Sequence, residues 1–230
     1  RSKPRFDRIR MDAESAQKGG YPHFMLKEIH EQPAVVKRLL CGGAKEIRRF
    51  RLPQNVKNVA IVACGTAYHA GLVGKYVIES LTRIPVWVDL SSEFRYRSPI
   101  VNKNTLVIAV SQSGETADTL AAVREAKKKG AVIVAICNVV GSSLTRESDK
   151  VFYTLAGPEI GVASTKAYTA QLTVFYMLGL EWARQRRTAS PKSQKEGWLA
   201  LSRIPALMDE VLCSTKEIRS VAHRHHLHVA

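Results

Sequence analysis

Thr105-Leu106-Val107-Ile108-Ala109-Val110-Ser111-Gln112-Ser113-Gly114-Glu115-Thr116 decides how the chain is read. Its first six residues form an apolar, β-branched run too short for a helix, which predicts a buried strand. A helical pattern follows over 116–129 and stops at Gly130. Ser111, Ser113 and Thr116 therefore fall where a strand becomes a helix, and Gly114 lets the backbone come close. The first amides of a helix have no partner within it, and the aligned peptide dipoles leave that end partly positive. Hydroxyl donors at such an end suit an anion, which makes the stretch a candidate phosphate cradle. The plainer alternative is a helix start with polar capping residues.

The same alternation extends outward. Residues 59–63 read as a buried strand that runs into Cys64-Gly65-Thr66 and a helix over about 67–81. Residues 85–90 form a second strand, 91–97 a connection or short helix, and 131–136 a fourth strand with Cys137 and Asn138 at its end. Residues 141–147 suggest a short helix with Ser142 near its start, and 150–155 a fifth strand. Five apolar strands with helical crossovers predict an α/β fold: a five-stranded parallel sheet covered by helices on both faces, a three-layer Rossmann-like arrangement. Ligands of such sheets bind beyond the carboxyl ends of the strands, where Thr66, Ser111 and Asn138 fall.

Outside this core unit, 57–190, the sequence predicts three further parts. Residues 1–20, with five Lys or Arg in the first ten, read as a linker or tail. Residues 21–56 read as a helical N-terminal segment. Phe24, Met25, Ile29, Val36, Leu39 and Leu40 keep helical spacing, Pro33 is expected to kink or divide that helix, and Gly42-Gly43 to close it. A short helix over 44–50 ends before Pro53, and Arg48-Arg49-Phe50-Arg51 reads as a solvated helix face. After the fifth strand, Gly157-Pro158-Glu159 breaks the pattern, and Ala163-Ser164-Thr165-Lys166 opens a helix to about residue 187, capped by Ser164 or Thr165. That helix is apolar nearly all round from 167 to 183, so it is buried in the domain or against a second subunit. Residues 191–230 read as trailing helices over 195–212 and 215–222, after a polar loop over 188–195. Val229-Ala230 looks like the start of another strand.

Composition narrows the class. With 45% hydrophobic and 24% charged residues, the 230-residue chain has ordinary globular make-up and enough length for a buried core. The net charge of +15 raises nucleic acid as a partner, but its distribution argues otherwise. Residues 1–60 carry 14 Lys/Arg against 6 Asp/Glu, whereas 61–170, which hold the motifs, carry 12 against 9. An anionic small substrate accounts for this as well as nucleic acid does. No apolar run is long enough to span a membrane. Cys41, Cys64, Cys137 and Cys213 lack metal-ligand spacing and suggest reduced thiols in a cytoplasmic protein. The histidines at 223, 225, 226 and 228 have no acidic partner or defined scaffold, so no metal or other cofactor is expected.

Four segments together resemble one family. They are His23-Phe24-Met25-Leu26-Lys27-Glu28-Ile29-His30-Glu31-Gln32-Pro33, Ala63-Cys64-Gly65-Thr66, the Ser111–Thr116 motif, and Gly157-Pro158-Glu159-Ile160-Gly161-Val162-Ala163-Ser164-Thr165-Lys166. In order and spacing these are similar to the sugar isomerase (SIS) part of the glutamine–fructose-6-phosphate aminotransferases, the glucosamine-6-phosphate synthases. The hydroxyl motif alone suggests only a sugar isomerase fold, shared by enzymes and regulators. The opening helix and the Gly-Pro-Glu segment narrow it.

The resemblance implies an isomerising transferase that makes glucosamine-6-phosphate from fructose-6-phosphate and glutamine in amino-sugar biosynthesis. It implies a glutaminase domain and a second SIS subdomain as partners within the full protein, and a homodimer. By matching positions, Ser111, Gln112, Ser113 and Thr116 bind the phosphate, Thr66 and the backbone of Ala67 meet the substrate, and Val162 and Ser164 reach the sugar. The family's enolising glutamate, ring-opening histidine and Schiff-base lysine match no position here. Lys166 is expected to serve the helix start or the surface, and Cys64 to pack beside the site. The competing readings are a sugar-phosphate sensor that controls a partner, and a dimerisation module built on the apolar helix.

Overall fold

Short β-branched runs separated by amphipathic stretches place five strands in one sheet. The computed structural model describes residues 16–226. The strands are β1 (Asn58–Ala63), β2 (Val86–Leu90), β3 (Thr105–Ser111), β4 (Val132–Cys137) and β5 (Lys150–Tyr153). All neighbours are parallel, in the order β2-β1-β3-β4-β5. The sequence's three-layer α/β reading is thus what the chain adopts.

Alternate residues of β1 divide the core. Val59, Ile61 and Ala63 join the cluster beneath α1 (Phe24–Arg38), α3 (Gly65–Thr82) and α7 (Lys166–Arg186). Ala60 and Val62 join the cluster beneath α4 (Ser91–Tyr96), α5 (Ala117–Lys128) and α6 (Ser143–Glu147). The order reverses between β1 and β3, because the crossover from β1 to β2 goes one way along the sheet and the return to β3 goes the other. Open parallel sheets leave a crevice at that switch point. Ala63 pairs with Val110, so the segments that begin at Cys64 and Ser111 leave the sheet side by side.

Several boundaries differ from the sequence reading, each for a local reason. Pro33 lies inside an α1 that runs unbroken to Arg38. A proline removes the amide that would bond the carbonyl four residues back, and here the Gln32 side chain donates to the Ile29 carbonyl instead (3.0 Å). Gly42-Gly43 does not close the helix. Leu39–Gly43 widen into a π turn that leads directly into α2 (Ala44–Arg49). The loop expected around Pro191 is the first turn of α8 (Pro191–Cys213), with proline where no amide is needed and the Ser190 hydroxyl accepting from the Ser193 amide. After α8 comes α9 (Thr215–His225). The arginine cluster is the solvated face that the sequence reading expected: Arg48, Arg49 and Arg51 are exposed, with Arg48 over the Trp198 ring, 5.0 Å from its centre, and Arg49 beside Glu46. The expected strand at Val229-Ala230, and most of the 1–20 tail, lie outside the described residues.

The α3–α7 contact depends on missing side chains. A Cβ on Gly74 would stand 2.5 Å from the ring of Phe175, and one on Gly179 would stand 3.0 Å from Val77 and Leu81. In an exposed helix Gly→Ala gains about 1 kcal/mol of propensity. Here the overpacking exceeds that gain, so Gly74→Ala should lower stability by about 1–3 kcal/mol. Urea unfolding with a midpoint at or above that of the unaltered protein would contradict this packing.

Candidate functional site

The crevice at the switch point holds a cavity of about 230 Å³. It is lined by Cys64, Thr66 and Ala67 from the start of α3, by Val110, Ser111, Gln112, Ser113 and Thr116 from the β3–α5 turn, and by Ser164 and Gln171 from the start of α7. Seven of the eight residues singled out in the sequence thus meet in one place. Val162 is the exception. Its side chain is fully exposed, at 106% of the reference area, and does not line the cavity. Asn138 is also elsewhere. Its side-chain oxygen accepts from the Thr154 hydroxyl (2.9 Å) and the Ala156 amide (3.0 Å), and its nitrogen donates to the Gly157 carbonyl (2.7 Å). It ties down the chain that leaves β5.

The turn after β3 is internally braced. Ser111 Oγ accepts from the Gly114 amide (3.0 Å) and lies 3.2 Å from the Thr116 hydroxyl, while Ser113 Oγ accepts from the Glu115 amide (3.2 Å). Gly114 has φ +69°, and a Cβ there would collide with Ser142 and come within 2.8 Å of Cys137 Sγ. Only glycine fits. Its carbonyl accepts from the Leu144 amide, which ties the turn to α6 (3.0 Å). Burial pushes the Cys137 thiol up from its ordinary value, so this cysteine is a packing group.

The helix starts around the cavity divide into two kinds. At α3 the N-cap is Cys64 and at α5 it is Thr116, and neither side chain caps an amide. Their first-turn amides therefore remain for a ligand. At α6 the Glu115 carboxylate accepts from the Ser143 amide (2.8 Å), and this bond holds its carboxyl below the usual range. At α7 the cap is neither Ser164 nor Thr165 but Glu159. Its carboxylate accepts from the Thr165 amide (3.0 Å), the Ala167 amide (3.1 Å) and the Ser164 hydroxyl (3.0 Å). No charged side chain lines the cavity among the described residues. An anion there would be held by amides, hydroxyls and helix dipoles.

The loop before α7 and the start of α7 are fastened to α1 by polar contacts that the sequence reading did not foresee. Glu28, 2% exposed, accepts from the amides of Ile160 (2.6 Å) and Gly161 (3.1 Å). A Cβ on Gly161 would stand 2.6 Å from that carboxylate. Lys166, also 2% exposed, pairs with Glu31, so it is neither a surface residue nor part of the cavity lining. The Thr169 hydroxyl donates to Gln32. Gln171 was missed because it sits in a run read only as apolar. A lone carboxamide among small and aliphatic neighbours was the available signal. Among the described residues no group of His, Cys, Asp and Glu is placed to hold a metal ion, and no helix is long and apolar enough to cross a membrane.

This fold and this cradle of hydroxyls and open helix ends define a SIS domain. The SIS family model matches residues 54–180, and the chain belongs to that family. The chain is similar to the glutamine–fructose-6-phosphate aminotransferases (isomerising): 51% identical to that of Caldanaerobacter subterraneus over 227 residues, and 50% identical to that of Clostridium tetani over 228. These alignments take in 95% of the chain but only 37% and 38% of those proteins, so the chain spans little more than a third of their length. The C-terminal domain of the Francisella tularensis glucosamine-fructose-6-phosphate aminotransferase superposes with a TM-score of 0.84 at 40% identity, over 91% of this chain and 61% of that one.

Glu159→Ala removes the acceptor of three hydrogen bonds from the start of α7. Stability should fall by about 1–3 kcal/mol. Hydrogen exchange at the Thr165 and Ala167 amides should rise more than exchange in the sheet. Unchanged protection at those two amides would show that another group caps the helix.

Proposed function

We propose that the cavity binds a hexose 6-phosphate, and that the chain is the substrate-gripping isomerase portion of an aminotransferase that converts fructose-6-phosphate and glutamine to glucosamine-6-phosphate and glutamate. The observation that carries this reading is the convergence of two uncapped helix starts with the hydroxyls of Ser111, Ser113 and Thr116 on one cavity. In this reading those hydroxyls, with Gln112 and the α5 amides, hold the phosphate. Thr66, Ala67 and Ser164 face the sugar, and Val162 reaches it only if its loop moves inward. The names of the relatives support the substrate and the reaction.

The grip has a mechanistic purpose. Phosphate binding at a distance from the reacting carbons supplies energy that fixes the sugar's orientation. A lysine Schiff base and a carboxylate then move a proton between the first two carbons. Those groups, and the glutaminase that supplies ammonia, belong in this proposal to the parts of the full-length protein beyond the match. The division into an N-terminal helical segment over 21–56, a SIS subdomain over 57–190 and helices that lead to a second subdomain agrees with that scheme. We place the protein in the cytoplasm, a reading that the four free cysteines support.

Calorimetry tests the grip. Fructose-6-phosphate should bind and fructose should not. Ser113→Ala should weaken the phosphorylated sugar by about 1–2 kcal/mol, since Ser113 Oγ accepts from the Glu115 amide and keeps its own proton for the ligand. Equal affinity for the two sugars would sink the proposal.

We also propose a homodimer. Most of α7 is covered by α1, α3 and α8, yet Tyr176, Leu199, Leu207, Val211, Ile218 and Val221 remain exposed along α7 to α9. Such apolar surface favours association, with a two-fold contact as the commonest outcome. Light scattering should give a mass above 25.5 kDa. A value that stays at the monomer mass across a wide concentration range would rule the dimer out.

A further inference from the structure

Glu28 is a buried charge outside the cavity. It is 2% exposed and is not among the lining residues. Lys27 and Lys166 pair with Glu31, and among the described residues Glu28 forms no ion pair. Its carboxylate accepts instead from the Ile160 amide (2.6 Å) and, through both oxygens, from the Gly161 amide (3.1 Å each). A buried carboxylate is costly unless strong hydrogen bonds offset it, and bonds from amides to a charged oxygen are among the stronger ones. Glycine at 161 is part of the contact, because a Cβ there would stand 2.6 Å from the carboxylate.

What Glu28 holds is the approach to the cavity. Residues 160 and 161 are tied to α1, and residues 164, 165 and 167 are tied to Glu159. Residues 162 and 163 alone separate the two ties, and Ser164, which lines the cavity, follows them directly. So short a span passes a displacement at 160 and 161 on to Ser164. The turn over 111–116 is braced separately, by bonds within itself and to α6. The sugar-facing and phosphate-facing walls thus rest on different supports.

We infer that Glu28 is a positioning residue: by holding residues 160 and 161 it places Ser164 against the sugar end of the ligand, and it leaves the hold on the phosphate end unchanged. This rests on the sugar-phosphate reading above. Linkage makes the effect reciprocal. If the Glu28 bonds favour the sugar, a bound sugar strengthens those bonds by the same free energy.

Calorimetry on the 230-residue chain, with fructose-6-phosphate and inorganic phosphate as ligands, tests this. Glu28→Ala should weaken fructose-6-phosphate about tenfold and leave inorganic phosphate within about twofold. The retained phosphate affinity also reports an intact cradle. In a Ser164→Ala background, Glu28→Ala should weaken fructose-6-phosphate by less than about twofold further, because its effect passes through Ser164. Equal losses for the two ligands, no loss for either, or losses at 28 and 164 that simply multiply overturn the inference. If Glu28→Ala does not fold, the unaltered protein still answers through hydrogen exchange at the Ile160 and Gly161 amides. Saturating fructose-6-phosphate should slow exchange there and inorganic phosphate should not, and slowing with both or with neither overturns it. Fructose-6-phosphate binding that Glu28→Ala leaves intact would keep the sugar-phosphate reading and remove the role of Glu28. Failure of the unaltered protein to bind either ligand would overturn that reading itself.

Discussion

A helix start surrounded by protein must have its first amides met by something, and the site follows from how that demand is met. Around the carboxyl edge of the sheet, two helix starts are met by the chain's own carboxylates, Glu115 at α6 and Glu159 at α7. Two others, at α3 and α5, have no side-chain cap. The closed ends are as important as the open ones. Because Glu115 is engaged with Ser143, an acidic residue within the hydroxyl motif adds no negative charge to the cavity lining. Because Glu159 draws in the Ser164 hydroxyl as well as two amides, it fixes the polarity that Ser164 shows to a ligand.

The second dependence is between α1 and the loop before α7. The two segments lie some 130 residues apart in sequence and meet through Glu28, Glu31 and Gln32 on one side and Ile160, Gly161, Lys166 and Thr169 on the other. Glu28 and Lys166, the two buried charged groups among them, are paired, as burial requires. They also explain why the opening helix belongs with the SIS domain at all. It is the platform on which the loop rests, and the loop in turn places Ser164 and Gln171 in the cavity.

The sheet was legible because each strand is a short β-branched run and parallel strands are buried on both faces. The cradle was legible because strand, hydroxyls, glycine and helix follow one another within a dozen residues. What escaped depends on partners distant in sequence. Nothing local to Glu159 marks it as a cap for amides six and eight residues further on, and nothing near Glu28 points to residues 160 and 161. Pro33 and Gly42-Gly43 were read by their intrinsic preferences. The Gln32 side chain and the π turn override those preferences by supplying hydrogen bonds and space that single-residue rules do not contain. Gln171 was hidden by its apolar neighbours, and Val162 followed from the family pattern although its side chain points to solvent here.

The neutrality of the cavity lining has a consequence for acidity. Apart from the Cys64 thiol, its lining consists of hydroxyls, carboxamides, aliphatic groups and backbone, none of which gains or loses a proton in the physiological range. A phosphate monoester sheds its second proton near pH 6. Around that pH the grip on such a ligand therefore follows the ligand's own second ionisation, while the lining hydroxyls, carboxamides and backbone amides keep their dipoles.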